Sequence, residues 1–498
     1  MLRFLIPLLI SLLLTLAPRV LAAADGAPPL PTASDWQAHV LQLGRYWLHG
    51  DAWGSPAGNF PTWRCNDGRL YQGEPCPGLQ QIPEWMAPAL GRDYVRMQSR
   101  QTFAYGVLFQ LSGDRRALAL HEAGVAYLKR VARDPAGGFY SWFEQGQGMP
   151  ARRGRTTQDL AYALLGIAFH AYLTHDPDSL QLVAEGQRYI YDHYWDGQRG
   201  ELRWVLDGSG GEDPAARELV AQLDQLNAYL LLSWRLWPDE AGRERWSAVI
   251  RQTSRSLMTN YHDRAGQRLW GTVGQADSQD EFGRHNDFGH TAKGYWMLWL
   301  AARGLGDEAL AAEARQALAI TLERAWQPLA VSELPQPLRP AGAATDLKVG
   351  NWAADGHTPM ASWWQWAELD QAALTLAIDG DSQQLPRLAA SLPQWLGPMT
   401  DHDWGELKAT TKQHFWRNGY HSTEHALIGT LLGNSLRGEP TTLWFAPVAK
   451  PLGVPFTPYF YSADEVAREP VARHDGPPLM AVSFAPVQLP SRISQGTR

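Results

Sequence analysis

Twelve segments of this sequence have the hydrophobic periodicity of helices, and two kinds of segment alternate along the chain. The segments at even positions, such as LAYALLGIAFHAYL and AKGYWMLWLAAR, are apolar nearly all round, which indicates burial on both sides. Those at odd positions, such as EALAAEARQALAITLERAW, have a charged face that suits solvent. Six apolar helices inside six amphipathic ones predict an all-α fold, an (α/α)6 barrel.

The predicted helices are regularly spaced. They span residues 35–49, 93–112, 114–132, 156–174, 178–195, 213–236, 239–259, 286–305, 307–325, 359–379, 381–395 and 422–434. Five junctions place an aspartate where a helix can begin, at Asp114, Asp176, Asp239, Asp307 and Asp381, 62 to 74 residues apart. An aspartate there can cap the free N–H groups of the next helix. The spacing fits a helical hairpin plus a loop, whereas open solenoids, the alternative arrangement, repeat at about 34–47 residues.

Three regions are predicted along the chain. Residues 1–24 have a basic start, a short apolar run and small residues at its end, which is typical of a signal peptide; an uncleaved anchor is the alternative. Residues 25–439 form the barrel, with short β-hairpin loops at one mouth ahead of the even helices. Residues 440–498 are rich in proline and form an extended tail packed on the barrel.

An exported chain works in the periplasm or outside the cell, where thiols oxidise. Cys65 and Cys76 share one short loop and are expected to form a disulfide rather than remain free. Two thiols with no histidine beside them make a zinc site improbable. We expect no membrane span once the signal peptide is removed.

Composition limits the class of partner. The net charge of −7 gives no basic excess for binding nucleic acid. The 23 Trp and 17 Tyr will supply much of the core, and exposed aromatic faces also stack on sugar rings. A carbohydrate is the expected partner, and the chain is expected to act as a monomer or homodimer.

Every apolar helix carries at least one polar side chain, although a buried polar group needs a partner or a function. These residues are Arg100, Asp159, Asp224, Asn227, His290, Lys293 and Glu368, with His421 at the entrance to the last helix. A satisfied structural network could explain any one of them. Six helices that direct polar groups at one axis predict a polar pocket there.

Five stretches resemble one family. They are SRQTFAYGVLF around Arg100, GGFYSW with QDLAYALLGIA around Asp159, FGHTAKGYW around His290, WWQWAEL around Glu368, and WRNGYHSTEHAL around His421. In this order the stretches resemble the N-acylglucosamine 2-epimerase / cellobiose 2-epimerase superfamily, over roughly residues 35–435.

The resemblance implies a mechanism at C2 of an opened sugar. His290 and His421 would be the acid/base pair that removes and returns a proton through an enediolate, with no metal and no cofactor. Arg100 would stabilise the enediolate oxygen, and Glu368 would help to open the ring or orient a histidine. Trp364 and Trp296 would stack on the sugar, and Asp159 and Asn227 would join the substrate-binding residues.

Two positions depart from that family. Lys293 stands where the family usually has glutamate, and Asp224 stands where it usually has histidine. Lys293 shares a helix face with His290, so it could favour the neutral histidine or bind an anionic group of the substrate. We expect Asp224 and Lys293 to form an ion pair at the pocket wall, since each alone would be an uncompensated charge. The alternative is that both reach solvent and never meet.

Two other functions remain open. Many (α/α)6 barrels hydrolyse glycosides with two carboxylates, for which Glu368, Asp287, Asp403 and Glu406 are candidates. A glycan-binding protein of the cell envelope that kept the pocket and lost the chemistry is the non-enzymatic alternative.

The first prediction concerns the compartment. The exported protein should be soluble, begin near residue 23 or 25, and contain joined Cys65 and Cys76. Intact-mass measurement before and after reduction and alkylation tests both points, and two free thiols in the exported form would contradict the disulfide.

Overall fold

The computed structural model describes residues 29–274, 283–327, 347–348, 361–473 and 476–491, and within them twelve helices follow one another. They are α1 Ala33–Trp47, α2 Val95–Ser112, α3 Arg115–Tyr127, α4 Thr157–Thr174, α5 Pro177–Tyr194, α6 Leu219–Gln225 continued by Leu226–Leu230 and Leu231–Trp234, α7 Glu240–Ser256, α8 Phe288–Leu305, α9 Glu308–Ala325, α10 Trp363–Ile378, α11 Gln384–Leu396 and α12 Tyr420–Leu436. Wide turns, Leu128–Ala132 and Leu257–Tyr261, extend α3 and α7. Each helix matches a predicted segment, so the all-α (α/α)6 barrel is confirmed.

The even-numbered helices form the inner ring. Helix α2 contacts α4 and α12, α4 contacts α6, and α10 contacts α8 and α12. Between α6 and α8, Gly304 lies so close to the Trp234 ring that a Cβ there would come within 2.6 Å of it. In α4 every residue except His170 is buried, which explains why these helices are apolar all round.

The junction aspartates work as caps in four of the five places. The side chains of Asp114, Asp176, Asp239 and Asp307 accept N–H groups from the first turns of α3, α5, α7 and α9. Asp381 accepts the N–H of Gln383 just ahead of α11.

One predicted boundary was wrong. Helix α6 begins at Leu219, not at residue 213, because the preceding chain is extended. Glu218 forms a backbone bridge with Thr272, and the N–H of Leu219 donates to the carbonyl of Gly271. This extended contact competes with helix formation.

Short antiparallel hairpins precede the inner helices, as expected. The strands are β1 Arg92–Tyr94, β2 Trp142–Glu144, β3 Gln147–Met149, β4 Trp195–Asp196, β5 Glu201–Leu202, β6 His262–Asp263, β7 Arg268–Leu269, β8 Trp326–Gln327 and β9 Leu347–Lys348. β1, β2 and β3 form one sheet, and the other strands pair in sequence order. The hairpins lie at the mouth where the inner helices begin.

The C-terminal residues reach the opposite mouth. Strands β10 Thr441–Phe445, β11 Glu465–Val471 and β12 Leu479–Phe484 form a sheet in the order β10-β12-β11. Between β10 and β11 the chain runs past the end of α4, where Ala446 and Leu452 donate to carbonyls of Leu173 and His175. The ring of Tyr461 is buried, and its hydroxyl lies 2.8 Å from that of Thr375 on α10. The proline-rich tail therefore closes the barrel.

The predicted disulfide is present, since Cys65 and Cys76 are bonded. Among the helices described, none is long and apolar enough to cross a membrane. The predicted signal peptide, residues 1–24, lies outside the described residues.

Candidate active site

A cavity of about 400 Å³ lies where the inner helices begin. Every inner helix contributes to its lining, through Arg100, Tyr162, Asp224, His290, Lys293, Trp364 and His421. Glu368 is fully buried directly behind this lining. The structure thus brings seven of the predicted site residues together at the barrel axis: Arg100, Asp224, His290, Lys293, Trp364, His421 and Glu368.

His290 lies in the first turn of α8, against the aspartate that caps that helix. Asp287 accepts the N–H of His290 at 2.9 Å, and its other oxygen is 2.6 Å from His290 Nδ1. Burial alone would raise the pKa of Asp287, but the adjacent His290 holds it below its usual value. An ionised Asp287 fixes the proton on Nδ1 and leaves Nε2 for a substrate.

His421 lies in the first turn of α12 and also has a carboxylate beside it. Its Nδ1 is 3.1 Å from Glu368 Oε1 on α10. Burial lowers the pKa of His421 to about 4, although Glu368 acts in the opposite direction. The imidazole is therefore neutral at neutral pH. The ring of Trp364 lies 6.0 Å from that of His421 and 4.6 Å from that of His290, so it contacts both histidines.

Lys293 lies between two carboxylates. Its Nζ is 3.6 Å from Asp224 Oδ1 and 3.6 Å from Glu368 Oε1. Burial would lower the pKa of Lys293, but the phenols and carboxylates around it raise it well above its usual value. Asp224 also accepts from Gln158 at 2.8 Å and from the Tyr162 hydroxyl at 3.0 Å. The expected ion pair is present, and Lys293 extends it to Glu368.

Arg100 lies on α2 and is held by aromatic rings. Its Cζ is 3.8 Å from the ring centre of Tyr162 and 5.5 Å from that of Tyr420. Its Nε is buried and has no hydrogen-bond partner among the described residues. The guanidinium therefore has a hydrogen-bond donor that no described residue satisfies.

A second carboxyl group lies one turn below His421. Glu424 is fully buried, and burial together with the nearby Glu368 raises its pKa to about 7. The hydroxyl of Tyr459, from the C-terminal tail, donates to Glu424 Oε1 at 2.7 Å. Oxygen and nitrogen atoms of Glu368, His421 and Glu424 lie within 4.8 Å of one another, a set that could hold a metal ion. The ammonium of Lys293 beside Glu368 already supplies positive charge there.

Three predicted substrate-binding residues lie away from the cavity lining. Asp159 is buried in an ion pair with Arg96, at 2.9 Å. Trp296 is fully buried and packs against Phe460, with 6.1 Å between the ring centres. The prediction that Trp296 stacks on a sugar is therefore wrong. Asn227 donates to the hydroxyl of Tyr420 at 2.7 Å, behind the wall.

The four candidate hydrolytic acids are not arranged together in the cavity. Asp287 and Glu368 each contact a histidine. Glu406 is buried and accepts from the indole of Trp47 and the hydroxyl of Ser422. Asp403 is exposed on a loop.

Sequence reasoning missed several residues of the site. Tyr162, Trp363, His285 and Arg417 line the cavity, and Asp287, which the sequence indicated only as a candidate hydrolytic acid, contacts His290. Two of them had a signal in the sequence. Trp363 opens the WWQWAEL stretch, and Asp287 stands three residues before His290, where a cap reaches the first turn.

Comparisons with known proteins identify the family and the fold. The family model described as N-acylglucosamine 2-epimerase matches residues 87–396. The chain belongs to the N-acylglucosamine 2-epimerase family. No curated protein sequence matches the chain.

Solved structures resemble this epimerase-family protein in fold. A D-mannose isomerase superposes with a TM-score of 0.62 at 12% identity, covering 80% of this chain and 97% of the other. The cellobiose 2-epimerase of Spirochaeta thermophila DSM 6192 gives 0.59 at 15% identity, covering 81% and 98%. A family 76 glycoside hydrolase from a bovine Bacteroides thetaiotaomicron strain gives 0.54 at 14% identity, covering 80% and 77%. At these identities the likeness shows the fold alone.

The second prediction separates a structural role of Asp159 from a substrate-binding one. Asp159→Asn should lower the free energy of unfolding by about 3–5 kcal/mol, because it leaves the buried Arg96 unpaired. Sugar affinity of the folded protein should be unchanged. Denaturant unfolding and calorimetric titration measure the two effects, and Arg96→Met with Asp159→Leu should recover part of the stability. A stable variant with weakened sugar binding would contradict this assignment.

The third prediction concerns the shared ammonium. Lys293→Met should lower both stability and activity, since two carboxylates lose their counter-charge, and adding Asp224→Leu should restore only part of the stability because Glu368 stays unpaired. Lys412, buried and paired with Asp401 at 2.9 Å outside the cavity, provides the control. Lys412→Met should cost stability alone. A coupling energy near zero between positions 224 and 293 would contradict the network.

Proposed function

We propose that this protein is a sugar epimerase or isomerase that transfers a proton at C2 of an opened sugar through an enediolate. The observation that carries the proposal is the pair of histidines at one cavity, each with a carboxylate beside its Nδ1. His290 and His421 come from different inner helices, and Trp364 contacts both rings. Family membership and the fold support a reaction on a sugar.

His421 is suited to remove the C2 proton. Burial lowers the pKa of this imidazole to about 4, so the neutral base form is present at neutral pH. Glu368 lies 3.1 Å from Nδ1 and stabilises the imidazolium that forms when Nε2 accepts the proton. The fully buried Glu368 therefore serves to orient and stabilise this histidine.

His290 is suited to return a proton. The carboxylate of Asp287 lies 2.6 Å from Nδ1 and orients the ring, so that Nε2 is the atom that can give a proton to the planar enediolate. When the two histidines act on opposite faces, the product is the C2 epimer. In the reverse reaction the two residues exchange roles, and solvent restores their protons after each turnover.

Two cations can stabilise the negative charge of the intermediate. Arg100 has a permanently charged guanidinium with an unpartnered donor at the cavity. The ammonium of Lys293 is held in place by Asp224 and Glu368, so it needs no rearrangement as charge develops. Trp364 offers a ring face for the sugar. Lys293 thus fits the proton-transfer chemistry although the family usually has glutamate there.

We further propose that the protein acts outside the cytoplasm, in the periplasm or as a secreted enzyme. The bonded pair Cys65–Cys76 supports this location, because disulfides persist in oxidising compartments. The basic, apolar and small-residue pattern of residues 1–24 supports it independently.

Glycoside hydrolysis is the second candidate, and the likeness to a family 76 glycoside hydrolase favours it. That reaction needs one acid and one free carboxylate beside the scissile bond. Here Asp287 and Glu368 are engaged by His290, His421 and Lys293, which suits proton transfer by histidine better.

The fourth prediction tests the acid/base pair. Replacing either His290 or His421 with Asn should abolish epimerisation while the fold survives. Exchange of the C2 hydrogen in deuterated water should persist in one of the two variants, because a single base can still exchange a proton on its own face. NMR of a panel of neutral and acidic sugars measures both outcomes.

His414→Asn is a matched control for this experiment. His414 also lines the cavity, but no carboxylate of the described residues is paired with it, and the centre of its ring lies 5.4 Å from that of Trp85. This variant should keep its activity. Full activity of either catalytic variant would contradict the assignment, and release of reducing ends with the C2 hydrogen untouched would support hydrolysis.

A further inference from the structure

Two arginines at the cavity have no carboxylate partner. Arg100 and Arg417 both line the cavity and are only 6% and 8% exposed. Two other buried arginines are paired with carboxylates, since Arg96 lies 2.9 Å from Asp159 and Arg155 lies 2.7 Å from Asp134. The fully buried Arg64 donates instead to the backbone carbonyls of Tyr46 and Gly68. No carboxylate oxygen of the described residues lies within 4.0 Å of the Arg100 or Arg417 guanidinium. A buried charge without a counter-charge is unfavourable, so binding of an anion would stabilise these two guanidinium groups.

The contacts of Arg417 fix its position and leave it uncompensated. Its Cζ is 4.7 Å from the ring centre of Trp363, and one terminal nitrogen donates weakly to the carbonyl of Leu407 at 3.4 Å. Glu406 is the acid that acts on it electrostatically, but that carboxylate accepts from Trp47 and Ser422 instead. With one face covered by an indole, the guanidinium has its remaining donors for a ligand in the cavity.

The other cations of the lining are already compensated. Lys293 is shared by Asp224 and Glu368. Arg284 lies 3.5 Å from Glu212 and 3.5 Å from Glu218. Of the two remaining cations, Arg100 is needed to stabilise the enediolate oxygen. Arg417 has no role in the proposed proton transfer. Arg417 is therefore a surplus positive group beside the reacting sugar.

We propose that the sugar bound here carries a carboxylate, as a uronic acid does, and that Arg417 binds it. A planar guanidinium with one stacked face matches the two oxygens of a carboxylate. The anionic group thus meets Arg417 rather than Lys293. That this acidic sugar is a substrate rests on the proposed function, whereas the binding of its carboxylate by Arg417 is independent of that function.

Calorimetric titration of the full-length protein tests the proposal with D-glucuronate, D-glucose and D-glucose 6-phosphate as probes. D-glucuronate should bind roughly tenfold to a hundredfold more tightly than D-glucose, as expected for charge-assisted hydrogen bonds. Arg417→Met should remove most of that preference and leave D-glucose affinity nearly unchanged. Arg284→Met, in the same lining but already paired, should keep the preference.

Arg417→Lys keeps the charge without the planar fork, so it should show an intermediate preference and serves as the second variant if the methionine variant does not fold. Equal affinity of the unmodified protein for D-glucuronate and D-glucose would overturn the proposal. So would a preference unchanged in either Arg417 variant. Tighter binding of D-glucose 6-phosphate than of D-glucuronate would overturn the assignment of the anion as a carboxylate.

The exchange experiment in deuterated water separates this inference from the proposed function. Exchange at C2 of neutral sugars, with no binding preference for D-glucuronate, would overturn the inference alone. A preference for D-glucuronate that depends on Arg417, with no C2 exchange on any sugar of the panel, would support the inference and overturn the proposed function.

Discussion

The buried ammonium of Lys293 connects the polar groups at the centre of this barrel. It lies 3.6 Å from carboxylates on α6 and α10, while Lys293 itself belongs to α8. Two carboxylates this deep in a ring of apolar helices would repel each other and lose hydration without a shared cation. Because Lys293 keeps Glu368 ionised, Glu368 can orient His421 on α12. The ion network thus links four of the six inner helices to one another and to the candidate chemistry.

The C-terminal tail supplies a residue that lies beneath the site. Tyr459 enters the barrel from the C-terminal tail and donates to Glu424, one turn below His421. The backbone N–H of Tyr459 in turn donates to the hydroxyl of Tyr172 on α4. The carboxyl group of Glu424, whose pKa burial and the ionised Glu368 raise to about 7, is partly protonated at neutral pH. The tail therefore does more than cover apolar surface, since it sets the polar contacts beneath the histidines.

Each of the two histidines has a carboxylate beside its Nδ1, but the two carboxylates come from different parts of the fold. Asp287 reaches His290 from within the same helix turn, whereas Glu368 reaches His421 from a neighbouring helix. Exposure differs as well, with side-chain values of 16% for His290 and 9% for His421. Trp364 lies against both rings and limits the space between them. This arrangement suits a planar intermediate that stays between the two rings while one histidine removes a proton and the other returns one.

The sequence by itself determined the twelve helices, because the apolar periodicity and the aspartate caps are local properties that each segment carries alone. It also indicated Arg100, His290, Lys293, Glu368 and His421 as candidate site residues, since a polar or charged side chain in an all-apolar helix stands out. Periodicity assigns a helix face but does not reveal what lies across the barrel. The sequence predicted the pair of Lys293 with Asp224, but it did not show that Lys293 also contacts Glu368 or that Asp159 is paired with Arg96 in the wall. Trp296 and Trp364 both lie in apolar helices, but the structure buries Trp296 in the core, where it packs against Phe460 of the tail, and places Trp364 in the cavity lining. These choices depend on contacts between residues far apart in the chain, which only the tertiary structure brings together.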